Sequence, residues 1–174
     1  MRSGQRTPNY FERAILGRLA GTAILLFGAP IYAAAAALSP VDEAAAFEAA
    51  GFTLKGGHWR ACDDPTPGYS PGAIQEVCDV NGDGRPEAVI TEGGTFCHGH
   101  AGAGYSLVSK QVDGSWKLIA SGTGILAFLA TKGAGGWPDI QVGGPGFCFP
   151  VQRWSGREYA IHRYEYEGKP CRRN

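Results

Sequence analysis

From Phe52 to Tyr166 the chain alternates short apolar or aromatic runs with polar, glycine-rich breaks. Runs of this length, bounded by Gly, Pro, Asn and Asp, predict β-strands. They fall at Phe52–Lys55, Trp59–Cys62, Ile74–Asp79, Ala88–Glu92, Tyr105–Gln111 and Trp116–Ser121, then at Ile125–Thr131, Ile140–Val142, Phe149–Trp154 and Tyr159–Tyr166. Asp113-Gly114 and Ser155-Gly156 sit between such runs and read as hairpin turns. One helix is predicted ahead of them. Ser39 is a cap, Pro40 stands at the first helical position, and Asp42 and Glu43 place acids in the first turn. That helix runs to about Ala50 and stops at Gly51.

Two stretches of the β-rich region resemble one another. Gly84-Arg85-Pro86-Glu87-Ala88-Val89-Ile90 aligns with Gly136-Trp137-Pro138-Asp139-Ile140-Gln141-Val142 at an offset of 52. Each continues to Gly-Gly and then Phe-Cys, at Phe96-Cys97 and Phe147-Cys148. A period near fifty residues suits a blade-like unit of about four strands. The repeat covers about 79–122 and 131–166. Two units cannot close a propeller, which needs about four blades. The expected fold class is therefore mainly β: antiparallel sheets from two blade-like repeats, open or sandwich-like, with one N-terminal helix.

Ahead of the helix the pattern changes. Arg2, Arg6, Arg13 and Arg18 precede an apolar run from Leu19 to Ile31, followed by Ala33 to Ala37. A basic start, an apolar stretch and a small-residue zone describe a secretory signal peptide, residues 1–37. The competing reading is an uncleaved anchor, because Leu19 to Leu38 approaches the length that spans a bilayer. Cleavage leaves 38–174 as a single β-rich domain, periplasmic or secreted, with no stable membrane insertion. All five cysteines, Cys62, Cys78, Cys97, Cys148 and Cys171, lie in that part, which suits an oxidising compartment. Their odd number leaves at least one unpaired within the chain. Equivalent placement in the repeat suggests Cys97 with Cys148, and proximity suggests Cys62 with Cys78. Cys171 in place of either partner stays open. Formal net charge is zero, which gives no sign of a nucleic-acid or anionic-membrane partner.

The densest chemistry lies at Asp79-Val80-Asn81-Gly82-Asp83-Gly84-Arg85-Pro86-Glu87. Oxygen-bearing side chains alternate, and the two glycines let the backbone curl around what those oxygens hold. Ca²⁺ takes six to eight oxygen ligands from flexible loops of this kind. The opening half matches the start of an EF-hand loop. The second half does not, because Ile90 stands where that loop needs a bidentate Glu, and Glu87 leads into a strand. The alternative is an Asn/Gly/Asp turn at a hairpin. The motif resembles the calcium loop of FG-GAP/VCBS repeats, found in integrin-type β-propellers and many bacterial surface proteins. The resemblance covers about twenty residues. It implies a Ca²⁺ bound by the side chains of Asp79, Asn81, Asp83 and Glu87 and by the carbonyl of Arg85. That family usually has Asp where Glu87 stands. In the second repeat the matching positions are Thr131, Gly133, Gly135 and Asp139, so the second unit is expected to keep the turn and bind no ion.

Other candidate chemistry is sparse. Cys97-His98-Gly99-His100 has residue types that ligate zinc or copper, set against a disulfide at Cys97 and surface histidines in a glycine-rich loop. Asp63-Asp64 reads as a solvated turn. Gly143 to Phe149, with Trp137 and Trp154, form a candidate groove lining where aromatics stack on sugars or peptides, with buried core aromatics the default. No nucleophile elbow, zinc-protease helix or phosphate-cradling loop is present. These observations favour an exported calcium-binding β-domain acting as a non-enzymatic binding or structural module of the cell envelope, with a protein or glycan partner. The alternatives are a small hydrolase or metalloenzyme using His98 and His100, and an inhibitor or partner of an envelope enzyme.

Overall fold

A computed structural model describes residues 37–172; the segment read as a signal peptide, 1–37, lies outside the described residues apart from Ala37. Helix α1 (Pro40–Ala49) begins as the capping pattern requires. Ser39 accepts the N–H of Asp42 at 3.1 Å. Asp42 in turn accepts from Lys110 and from the Trp116 indole, tying the helix start to the sheet beneath it. A short hairpin follows, β1 (Thr53–Lys55) and β2 (His58–Arg60).

Two antiparallel sheets then form in succession. The first holds β3 (Ser70–Cys78), β4 (Glu87–Gly93), β5 (Ala103–Lys110) and β6 (Trp116–Thr123), paired in sequence order. The second holds β7 (Ile125–Lys132), β8 (Pro138–Gly143), β9 (Phe149–Trp154), β10 (Tyr159–Tyr166) and the two-residue β11 (Lys169–Pro170), again between chain neighbours. Gly124 alone joins the sheets, at φ +125 and with its N–H on the Ala103 carbonyl. The fold is mainly β and antiparallel, as the pattern predicts. The two aligned sequence stretches fall on corresponding strands: Glu87 opens β4 in one sheet and Asp139 lies in β8 of the other.

Period-two alternation decides which way β4 faces. Ala88 and Ile90 join Phe47 of α1 and Phe52, Val77, Val108 and Trp116 in one buried cluster. Val89 points the other way, joining Leu107 and Trp137 in a second, against which Leu126, Phe128, Trp154 and Tyr159 pack. The first sheet is thus covered by the helix on one face and by the second sheet on the other. That layering is why β4 and β5 are nearly buried throughout, while α1 buries only Ala46 and Phe47.

The cysteine pairing differs from expectation. Cys62 pairs with Cys97 and Cys148 with Cys171, leaving Cys78 free. Cys97 and Cys148 hold equivalent places in two different units, and each is bonded to a segment flanking its own unit. Cys97 reaches back to the chain after β2, and Cys148 reaches forward past β11. Cys78 ends β3 opposite Glu87 in the ladder, facing Glu76. Burial, then its bond to Glu76, pushes its thiol up to about 12, so it stays protonated. Two disulfides suit an oxidising environment. Among the described residues no helix is long and apolar enough to cross a membrane.

Candidate functional site

The loop between β3 and β4 holds the five residues singled out by sequence. Gly82 and Gly84 both sit at φ +83, the left-handed region that lets the loop turn twice within three residues. The curl brings three backbone N–H groups onto one carboxylate: Asp79 accepts from Gly82 at 2.7 Å, Asp83 at 3.1 Å and Gly84 at 2.8 Å. Burial opposes ionisation of Asp79, but these backbone donors outweigh it and hold its pKa below the ordinary value. Asn81 accepts from the Asp83 N–H at 2.8 Å, and Asp83 accepts from the Arg85 N–H at 2.9 Å and from its guanidinium. The Arg85 side chain also donates to the Lys110 carbonyl, pinning the loop to the end of β5.

Glu87 is different in kind. It is 1 % exposed, accepts from Ser109 at 2.7 Å and from the Val80 N–H at 2.9 Å, and among the described residues pairs with no cationic side chain. Burial, reinforced by Asp83 and Asp79, raises its pKa. The Asn81 amide lies between the acids, 3.3 Å from Asp83 and 3.5 Å from Glu87. The loop thus gathers Asp79, Asn81, Asp83, Arg85 and Glu87. Among the described residues no group of three or more His, Cys, Asp and Glu is close enough to hold a metal through those side chains alone. The observation that fits a cation is Glu87 itself, because a buried carboxylate is ordinarily paired with positive charge or protonated. Seating Ca²⁺ here requires the Asn81 amide to turn its oxygen inward.

The second unit solves the same problem with arginine. Asp139, fully buried, accepts a two-pronged contact from Arg153 at 2.9 and 2.8 Å, another from Arg163 at 2.7 Å, and the Thr131 hydroxyl at 2.6 Å. Arg153 occupies the strand position next to the Ile140–Gln152 pair, as Ser109 lies opposite Glu87. The two guanidinium groups hold the Asp139 carboxyl well below the ordinary range. Thr131, which aligns with Asp79, contributes a hydroxyl to this network.

The two turns touch. A Cβ on Gly136, at φ +79, would lie 2.5 Å from the Asn81 carbonyl oxygen. Both the backbone angle and the contact forbid a side chain, since a carbonyl cannot move aside as a flexible side chain does. Gly136→Ala should therefore cost about 1–3 kcal/mol in urea unfolding. A loss below a few tenths would show that the turns do not press on one another.

The remaining candidates are rearranged by the fold. Cys97 is in a disulfide, so Cys97, His98 and His100 make no thiolate site. His98 lies on the one-turn helix α2 (Thr95–His98) with 15 % of its side chain exposed, and is not a surface residue; His100 is exposed. Asp63 is exposed and paired with Lys55, whereas Asp64 is buried, against the reading of both as a solvated turn. Trp137 and Trp154 belong to the inter-sheet core, while Phe147 and Tyr166 form an exposed edge-to-face pair. Sequence reasoning missed Glu92, which is 4 % exposed. Its signal was present: in β4 it falls two residues beyond Ile90 and four beyond Ala88, on the core-facing side. Comparisons with family models, with curated proteins and with solved structures find no match.

Proposed function

We propose that this chain is an exported calcium-binding β-domain, a non-enzymatic binding or structural module of the cell envelope whose partner is a protein or a glycan. The observation that carries the calcium reading is the contrast between Glu87 and Asp139. Corresponding buried acids open corresponding strands. One is neutralised by two arginines, and the other meets no cationic side chain among the described residues, next to a loop rich in hard oxygen donors. Asp79, Asn81, Asp83 and Glu87 would hold Ca²⁺ through side chains and Arg85 through its carbonyl. The ion would supply the positive charge that Arg153 and Arg163 supply in the second unit. Its role is to brace a turn, since all its ligands come from one loop. The exposed Phe147 and Tyr166 rings give a partner an aromatic surface on which to stack.

Calcium at a hundredfold excess over its Kd is expected to stabilise the fold by about 2.7 kcal/mol, raising Tm by on the order of 10 °C over protein in EGTA. Asp79→Ala should abolish that increment. Glu87→Gln keeps a carbonyl oxygen for the Val80 N–H and an amide N–H that donates to the Ser109 hydroxyl, and removes the unpaired charge. It should be at least as stable as the parent in EGTA while losing most of the calcium response. Equal melting temperatures for the parent with calcium and with EGTA would defeat the proposal.

A further inference from the structure

At the far end of β4 from Glu87, about 16 Å along the strand, Glu92 is built into a second polar site. One carboxylate oxygen is saturated: Oε1 accepts the N–H groups of Ala61 at 3.0 Å and Cys62 at 3.2 Å, and the Tyr69 hydroxyl. The other, Oε2, accepts no hydrogen bond from any described residue, and its closest recorded partner is His98 Nε2 at 3.6 Å. That nitrogen is itself buried and without a partner. The imidazole is held there because it lies against Gly104, where any Cβ would overlap the ring.

Both side chains line a cavity of about 270 Å³ whose walls include Phe52, Tyr105, Ser106 and Ser121. Among the described residues no lysine or arginine lines it. The site therefore offers a buried carboxylate oxygen and an imidazole nitrogen 3.6 Å apart, in a cavity also walled by two aromatic rings. An anion would meet the Glu92 carboxylate with no cation among the described lining residues; Arg60 lies over the Tyr69 ring and donates to the Asp64 carbonyl outside that lining. An ammonium group carries three donors and the opposite charge, and aromatic faces attract it.

We propose that this cavity binds a small primary ammonium compound. Its N–H groups donate to Glu92 Oε2 and to His98 Nε2 in the tautomer that leaves Nε2 unprotonated, and its carbon chain lies against Phe52 and Tyr105. The inference does not rest on the calcium reading, which concerns the opposite end of the strand.

The test is a titration of the purified protein, with histidines labelled with ¹⁵N, using n-propylammonium chloride as probe and n-propanol at matched ionic strength as its uncharged counterpart. The His98 resonances, assigned by their loss in His98→Gln, should move saturably with the ammonium and not with the alcohol. Glu92→Gln, which keeps an acceptor for Ala61, Cys62 and Tyr69, should weaken binding at least tenfold. The proposal is overturned by a response that fails to saturate, by an equal response to propanol, or by undiminished binding in a folded Glu92→Gln protein. If that variant does not fold, the comparison of the two probes on the parent protein decides alone.

Discussion

Asp139→Ala is expected to destabilise the domain by about 3–5 kcal/mol, the range for removing one partner of a buried ion pair. The carboxylate is fully buried and gathers Arg153, Arg163 and Thr131 from three other strand positions. Without it, Arg153 loses its carboxylate partner, while Arg163 keeps Glu165. The hydrogen bonds to Asp139 are lost as well. The same contacts set a pH dependence. Asp139 has a folded pKa depressed first by the Arg153 bonds and then by Arg163 and Thr131, against the opposing effect of burial. Its stabilisation is therefore complete above the unfolded carboxylate value, about 3.9. It is lost as pH falls below that value towards the folded one. Urea unfolding at neutral pH should show the full deficit in Asp139→Ala, and the gap between parent and variant should narrow between about pH 4 and pH 2. A deficit under about 1 kcal/mol at neutral pH would mean that the arginines find solvent or other acids at little cost.

Most of this architecture was readable from residue order, for reasons that vary by element. The strands were legible because half-buried sheets impose alternation, and the turns because Asp113-Gly114 and Ser155-Gly156 need a left-handed residue, supplied by Gly114 and Gly156. The helix announced itself through local chemistry at Ser39, Pro40 and Asp42. Two elements left no signal. The strand Lys169–Pro170 has no apolar pattern and exists because Cys171 is bonded to Cys148, with its N–H on the Tyr164 carbonyl. The turn Thr95–His98 sits among glycines and is held by the Cys62 bond. The disulfide pairing stayed open in the sequence, because pairing depends on which segments the sheets bring together, and internal similarity marks equivalent positions without marking neighbours. The calcium loop was legible as a ligand pattern. That Glu87 would be buried without a cation, and Asp139 with two, depends on tertiary packing that brings Arg153 and Arg163 to one acid and Ser109 to the other.

Loss of the Cys62–Cys97 bridge, in Cys62→Ser/Cys97→Ser, should cost about 3.8 kcal/mol from loop closure alone. The bond closes a sequence separation of 35, against 23 for Cys148–Cys171, for which the same argument gives about 3.4 kcal/mol. Thermal melts should show a drop on the order of 10 °C for either pair. Cys78→Ser should change little, because that thiol is protonated and its one hydrogen bond among the described residues, to Glu76 at 3.4 Å, is one a hydroxyl can also make. The two bridges differ in what else they hold. The Cys62 N–H donates to Glu92, and Cys97 precedes His98, so the first bridge fastens together the two sides of the Glu92 cavity. The second fastens β11 to the edge of its sheet. Reducing the protein should therefore loosen the His98 environment through the first bond, and the Cys148→Ser/Cys171→Ser variant should leave it in place. Histidine spectra of the two double variants separate the cases. An unchanged His98 signal in Cys62→Ser/Cys97→Ser would show that packing against Gly104, and not the disulfide, positions the ring.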